Sequence, residues 1–210
     1  MPVEAVAETN TEEGALNCDY LCIGAGNACM AFVDTMLTYT KTATFIIVDK
    51  HAQPGGQWNV AYPFATLRQP AACYGVNSEP MGKIDKAGYE VLDPIERSSK
   101  TELLAYYARV MNTFLATGRV RFFASVTYDF SDSCWVPCFV DQDGHRQVVN
   151  FGKLVTPESD VVVPAMRPPS FPVASGLPIG VVLKPVNALL DEVHSNYVVL
   201  GCGWTAIDAV

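Results

Sequence analysis

Apolar and polar positions divide this 210-residue chain into recognisable elements. Asp19 to Ile23 is a short apolar run that meets Gly24-Ala25-Gly26, and beyond it Met30, Phe32, Val33, Met36 and Leu37 recur on one side of a helical pattern. Thr44 to Val48 is a largely β-branched run ending at the acid Asp49. The predicted order is strand, glycine turn, helix, strand, acid.

From Gly55 to Pro80 glycines, prolines and aromatics follow one another without a clean period, which predicts a long irregular segment of the kind that is usually functional. A second helix is marked at its start by Ser99 with Glu102 three residues on. Its apolar face is Leu103, Leu104, Tyr107, Met111, Phe114 and Leu115, and Gly118 stops it. This helix reads as scaffold. Arg119 to Val126 reads as a strand, and Cys134 to Val140 and Arg146 to Phe151 flank Asp141-Gln142-Asp143-Gly144 as a hairpin. Val161 to Val163 is a further short strand, Pro164 to Pro178 a proline-rich connector, and Tyr197 to Leu200 a last strand running into Gly201-Cys202-Gly203-Trp204-Thr205-Ala206.

The expectation is an α/β, Rossmann-like fold: a mainly parallel sheet with helices on both faces, a small antiparallel hairpin, and the start of a second Rossmann unit. Residues 1–17 read as an acidic flexible leader, 18–165 as the first domain, 166–196 as a connector and 197–210 as the start of the second unit. A whole βαβ unit takes about 30 residues, so the second is expected to be incomplete in this chain.

Charge removes one class of function. A formal net charge of −8 opposes nucleic-acid binding, which draws its affinity from Lys and Arg on phosphates. The seven cysteines include no CxxC pair and only three histidines accompany them, so no metal site is expected and the thiols read as reduced. Cys134 and Cys138 read as two small residues around a strand. No stretch approaches the ~18 apolar residues of a membrane span, and the leader lacks the pattern of a signal peptide, so a soluble cytoplasmic protein is expected.

Chemistry concentrates in the two glycine motifs. A glycine turn between a first strand and a helix lets backbone approach a pyrophosphate, whose charge meets free amides and the positive end of the helix dipole. Gly24 would make the turn, and Gly26 would remove the side chain that collides with the ligand. Asp49 is placed to accept from ribose hydroxyls. The third glycine of the fingerprint is replaced by Cys29, small enough to be accommodated by a slight helix shift. At the second motif, Gly201 and Gly203 are followed by Ala206, which the fingerprint allows. Asp34, Asp85, His145 and His194 read as surface or capping residues, and no catalytic acid or base is assigned.

Two such motifs in order, with Pro54-Gly55-Gly56-Gln57-Trp58-Asn59 after the acidic strand end, resemble the flavin-containing monooxygenases and related FAD/NAD(P)-binding oxidoreductases. Ala61-Tyr62-Pro63-Phe64, Leu67-Arg68-Gln69-Pro70 and Tyr74-Gly75-Val76-Asn77 strengthen the resemblance, which spans roughly Asp19 to Val210. It implies that Gly24, Ala25, Gly26 and Asp49 bind the ADP half of FAD, that Gly56, Gln57, Trp58 and Gln69 lie toward the flavin, and that Val126 sits near the adenine. Gly201, Gly203 and Thr205 would cradle the pyrophosphate of NADPH. The implied activity is hydride transfer from NADPH to FAD and oxygen transfer to a small-molecule substrate. The histidine-bearing FxGxxxH fingerprint of those monooxygenases is missing from the connector, where Phe171 to Gly176 does not fit it. Two other readings stay open: a non-catalytic remnant that binds FAD weakly or not at all, and a flavin-linked disulfide reductase, which the lack of CxxC disfavours.

Overall fold

The computed structural model describes residues 14–83, 93–128, 138–156, 171–172, 176, 181, 183–188 and 193–209. Its centre is one six-stranded sheet of order β3-β2-β1-β6-β5-β4. The strands are β1 (Leu16–Ile23), β2 (Phe45–Asp49), β3 (Val120–Ala124), β4 (Thr127–Tyr128), β5 (Cys138–Val140) and β6 (Arg146–Val155). β1, β2 and β3 run parallel, with Leu21 opposite Ile46 and Ile46 opposite Arg121. All of β2 is buried, as a central parallel strand covered on both faces requires.

β6 belongs to two pairings. Its first residues pair antiparallel with β5, from Val140 opposite Arg146 to Cys138 opposite Val148. From Val149 onward it pairs parallel with β1, ending with Cys22 opposite Val155. The hairpin expected as an appendage is therefore part of the main sheet. The predicted strand at Arg119 to Val126 is also divided: β3 stops at Ala124, Ser125 takes φ 58°, and the chain enters β4. Cys134 and the predicted strand at Val161 to Val163 lie outside the described residues.

Helix α1 (Asn27–Tyr39) and α2 (Lys100–Ala116) both pack on one face of the sheet, against Cys22, Phe45, Ile47 and Val120. The opposite face, Leu21, Ile46 and Val48, is covered by Val126, Phe139 and Val149. Among the described residues the expectation of helices on both faces is thus corrected. β4, β5 and the start of β6 fold the sheet's own continuation over the second face, where a crossover helix would otherwise lie.

α2 is the best-built element. Ser99 and Glu102 form the predicted capping box, and Gly118 ends the helix at φ 70°. Leu103, Tyr106, Tyr107, Val110, Met111 and Phe114 are buried along one stripe, each side chain worth roughly 1.5–3 kcal/mol on the usual area scale. At the far end of α1, Arg119 donates to the carbonyls of Thr40 and Leu37 at 2.8 and 2.9 Å, satisfying acceptors that the helix leaves open.

Two further expectations are corrected. Asp34, expected as a surface or capping residue, is 3 % exposed and accepts from the backbone N–H of Ser78 at 3.0 Å and from its hydroxyl. A carboxylate beside the apolar stripe of α1 thereby straps the irregular segment to the helix. Tyr197 to Leu200, predicted as a strand, has no regular secondary structure and pairs with no strand among the described residues, and Val198 is 84 % exposed. Apolar sequence makes a strand only where a neighbour supplies the ladder. No helix among the described residues is long and apolar enough to cross a membrane.

Candidate functional site

The glycine turn sits where the sequence reading expects it, at the carboxyl end of β1. Gly24 has φ 89° and donates its N–H to the carbonyl of Val48 at 2.7 Å, which turns the chain sharply out of the sheet. Gly26 is the N-cap of α1, extended at φ −89°, with no side-chain cap. The first turn of α1 carries no acid. The helix itself thus supplies no carboxylate to its first amides and the positive end of its dipole, which an anion site uses.

Asp49 closes this turn from β2. Its Oδ2 accepts from the N–H of Ala25 at 2.5 Å, and its Oδ1 accepts from the N–H of His51 at 2.8 Å and meets His51 Nδ1 at the same distance. The carbonyl of Asp49 accepts from the N–H of Val126 at 3.0 Å, so Val126 does reach the end of β2; its side chain, however, is buried in the second core cluster. Asp49 itself is 5 % exposed. Oδ2 keeps a second acceptor direction for a ribose hydroxyl, but the first duty of this acid is to hold the glycine turn.

Cys29 points inward from α1. It is buried, its thiol is hydrogen-bonded to that of Cys22, and this bond together with burial holds it well above the usual cysteine range. Such a thiol is inert. The third position of the fingerprint accommodates it as a core residue.

The segment Gly55 to Asn59 lies directly against the turn. Gly55 donates to the carbonyl of Ala25 at 2.8 Å and has φ 129°. A Cβ on Gly26 would meet Gly56 Cα at 3.4 Å, so these two turns meet glycine to glycine. Trp58 is half-buried and donates its indole N–H to Tyr74 Oη at 3.1 Å. Gln57 and Gln69 are exposed. Lys100, at the start of α2, holds the same segment through the carbonyls of Ala61 and Asn59 at 2.6 and 3.3 Å.

The second motif is built differently. Gly201 has φ 138°, and Gly203 caps the short helix α3 (Trp204–Asp208). A Cβ on Gly203 would meet nothing within 4 Å, and one on Gly201 only Ala206 at 3.8 Å. An open depression of about 460 Å³ is lined by Val199, Gly201, Ala206 and Ile207. One cluster links this motif to the irregular segment that carries Tyr62 and Arg68. Asp208 pairs with Arg68 and accepts from the hydroxyl of Tyr62 at 2.5 Å, Thr205 bonds Tyr62, and the Arg68 guanidinium lies 4.9 Å from the Trp204 ring. Tyr62 and Arg68 belong to the stretches that carry the family resemblance, yet only the fold shows them as partners of the second motif.

At the β5–β6 turn, ligand atoms of Asp141, Asp143 and His145 fall within 4.8 Å of one another. Asp141 Oδ1 already accepts from the amides of Asp143 and His145, both at 2.9 Å, which is the ordinary work of an aspartate in a tight turn.

No family model matches the chain. It is 37 % identical over 196 residues to uncharacterized proteins of Mycobacterium tuberculosis (strain ATCC 25618 / H37Rv) and Mycobacterium bovis (strain ATCC BAA-935 / AF2122/97). That match covers 90 % of this chain and 34 % of theirs, so the chain spans about a third of the length of these relatives. Among solved structures it resembles a polycyclic ketone monooxygenase from the fungus Thermothelomyces thermophila, with TM-score 0.50, 13 % identity and coverage of 71 % of this chain and 24 % of that one. A flavin monooxygenase mutant from Stenotrophomonas maltophilia gives TM-score 0.47 at 19 % identity, covering 67 % and 38 %. A bacillithiol disulfide reductase from Bacillus cereus gives 0.47 at 14 %, covering 67 % and 39 %. The chain has a Rossmann-like α/β fold. At these identities the likeness is one of fold.

Proposed function

We propose that residues 18–165 are the FAD-binding unit of a flavoprotein oxidoreductase of NADPH-dependent monooxygenase type. In this reading residues 166–196 are the connector and 197–210 begin a nicotinamide-dinucleotide unit. The observation that carries the reading is the uncapped, acid-free N-terminus of α1 behind Gly24-Ala25-Gly26, with a second glycine turn seated on it. Fold alone does not name a function; these residues supply what a dinucleotide's pyrophosphate needs, so they fit the group.

The Gly24-Ala25-Gly26 turn would bring the pyrophosphate to the amides of Gly26 and the first turn of α1, with Gly24 and Ala25 holding the turn through Val48 and Asp49, and Asp49 would share an acceptor with the adenine ribose, near Val126. Gly56, Gln57, Trp58 and Gln69 would line the way toward the flavin, and Gly201, Gly203 and Thr205 would take the NADPH pyrophosphate. When bound, FAD supplies the two-electron chemistry; the protein binds, orients and shields it. The half-buried Trp58 contributes apolar cover to that end of the site.

The test is to incubate the purified protein with FAD, desalt it and record the visible absorption spectrum. Flavin retained near one equivalent supports the first site, and NADPH oxidation by that sample then tests the nicotinamide half. A colourless protein overturns the reading in favour of a non-catalytic remnant.

A further inference from the structure

A chain of hydrogen-bond and ring contacts runs behind the two glycine turns. The indole N–H of Trp58 donates to Tyr74 Oη at 3.1 Å. The rings of Tyr74 and Tyr107 meet edge to face at 6.4 Å. Tyr107 donates in turn to Asn27 Oδ1 at 2.8 Å. Together with the Gly55 N–H to Ala25 carbonyl bond, this closes a ring around the contact of Gly26 with Gly56.

The indole N–H only donates, so Tyr74 accepts from Trp58, and at the other end Tyr107 donates to the amide oxygen of Asn27. Asn27 is exposed and is the first residue of α1. With Oδ1 engaged by Tyr107, the NH2 of Asn27 remains as a donor on the first residue of the helix, next in sequence to the glycine turn. Tyr107 is fully buried, and burial followed by its Tyr74 neighbour holds its hydroxyl well above the usual tyrosine range, so it stays a neutral donor.

We propose that Asn27 is a further contact to the dinucleotide's pyrophosphate, and that Tyr107 and Tyr74 are positioning residues that orient Asn27 and Trp58 for it. The inference rests on the FAD-binding reading above and concerns how that site gains affinity for a diphosphate.

Asn27→Asp tests it directly. The carboxylate can still accept from Tyr107, and an acid in the first turn of a helix favours the helix, so the thermal midpoint without ligand should hold or rise. The same carboxylate faces the pyrophosphate with like charge. FAD affinity, read by fluorescence titration, is expected to fall by about tenfold or more, and ADP used as a competitor should weaken in parallel. Tyr107→Phe and Tyr74→Phe should each weaken FAD by about three- to tenfold, the worth of one hydrogen bond. Wild-type affinity in Asn27→Asp overturns the contact, and wild-type affinity in both tyrosine variants overturns the positioning role. If the wild-type protein itself fails to bind FAD, the reading beneath falls and the proposal with it.

Discussion

A Cβ built on Gly56 would stand 2.8 Å from the Cα of Gly26, closer than such atoms come in real structures. The two residues are 30 positions apart, and the backbone of Gly26 occupies the space a side chain on Gly56 would need, while a Cβ on Gly26 would only touch Gly56 Cα at 3.4 Å.

Gly56→Ala is therefore expected to damage both stability and binding. Gly56 also has φ 54°, a region that costs a side chain roughly 1–2 kcal/mol, and overpacking against backbone adds about 1–3 kcal/mol. A drop in thermal midpoint of roughly 5–15 °C should accompany loss of FAD retention. A variant of wild-type stability would show that the turns separate freely.

Asp49→Asn probes the closure of the first turn. One oxygen becomes an NH2 group, and whichever way the amide lies, it sets a donor against the N–H of Ala25 or that of His51. A buried donor left unpaired costs about 1–3 kcal/mol. Chemical denaturation should show that loss without a change in slope. An unchanged midpoint would mean that the carboxylate is not needed to hold Ala25.

The pH response of α2 follows from its cap. The backbone N–H and then the hydroxyl of Ser99 hold the carboxyl of Glu102 below its ordinary value. A depressed folded-state value means the stabilisation is present above the unfolded carboxylate range and is lost as pH falls through the folded value. Glu102→Gln should hence lower the thermal midpoint at neutral pH by a small amount, with the gap to wild type closing on acidification below about pH 4. Ser99→Ala removes the cap itself and should cost about 1 kcal/mol. A gap that widens in acid would refute the assignment.

How much of this was legible in the sequence depends on how local the cause is. The order β1, α1, β2, Asp49 could be read because each piece follows from its own period and from one glycine turn. The capping box of α2 is equally local. The dual pairing of β6 could not be read, because the choice of β1 and β5 as neighbours is made by the whole sheet. Tyr107 illustrates a second limit. Its spacing marks it as one more apolar position on α2, while its hydroxyl acts on Asn27, which is 80 residues away in sequence. Asp34 failed in the opposite sense: a carboxylate on an amphipathic helix suggests solvent, and only the return of Ser78 gives it a partner.

The link between the two glycine motifs can be tested through Arg68. Burial pushes the Asp208 carboxyl up, but the Arg68 guanidinium and the Tyr62 hydroxyl outweigh it and leave the group below its usual value. Arg68→Ala removes both the ion pair and the cation facing Trp204. Partly exposed pairs contribute about 0–1 kcal/mol, so the main unfolding transition should barely move. The local effect should be larger. α3 has five residues and no buried side chain of its own, so it depends on this cluster for its position. Proteolytic cleavage within 193–209 should accelerate, and Trp204 emission, read with Trp58 and Trp135 replaced by Phe, should shift to the red. Unchanged cleavage and emission would show that the second motif is held by something other than Arg68.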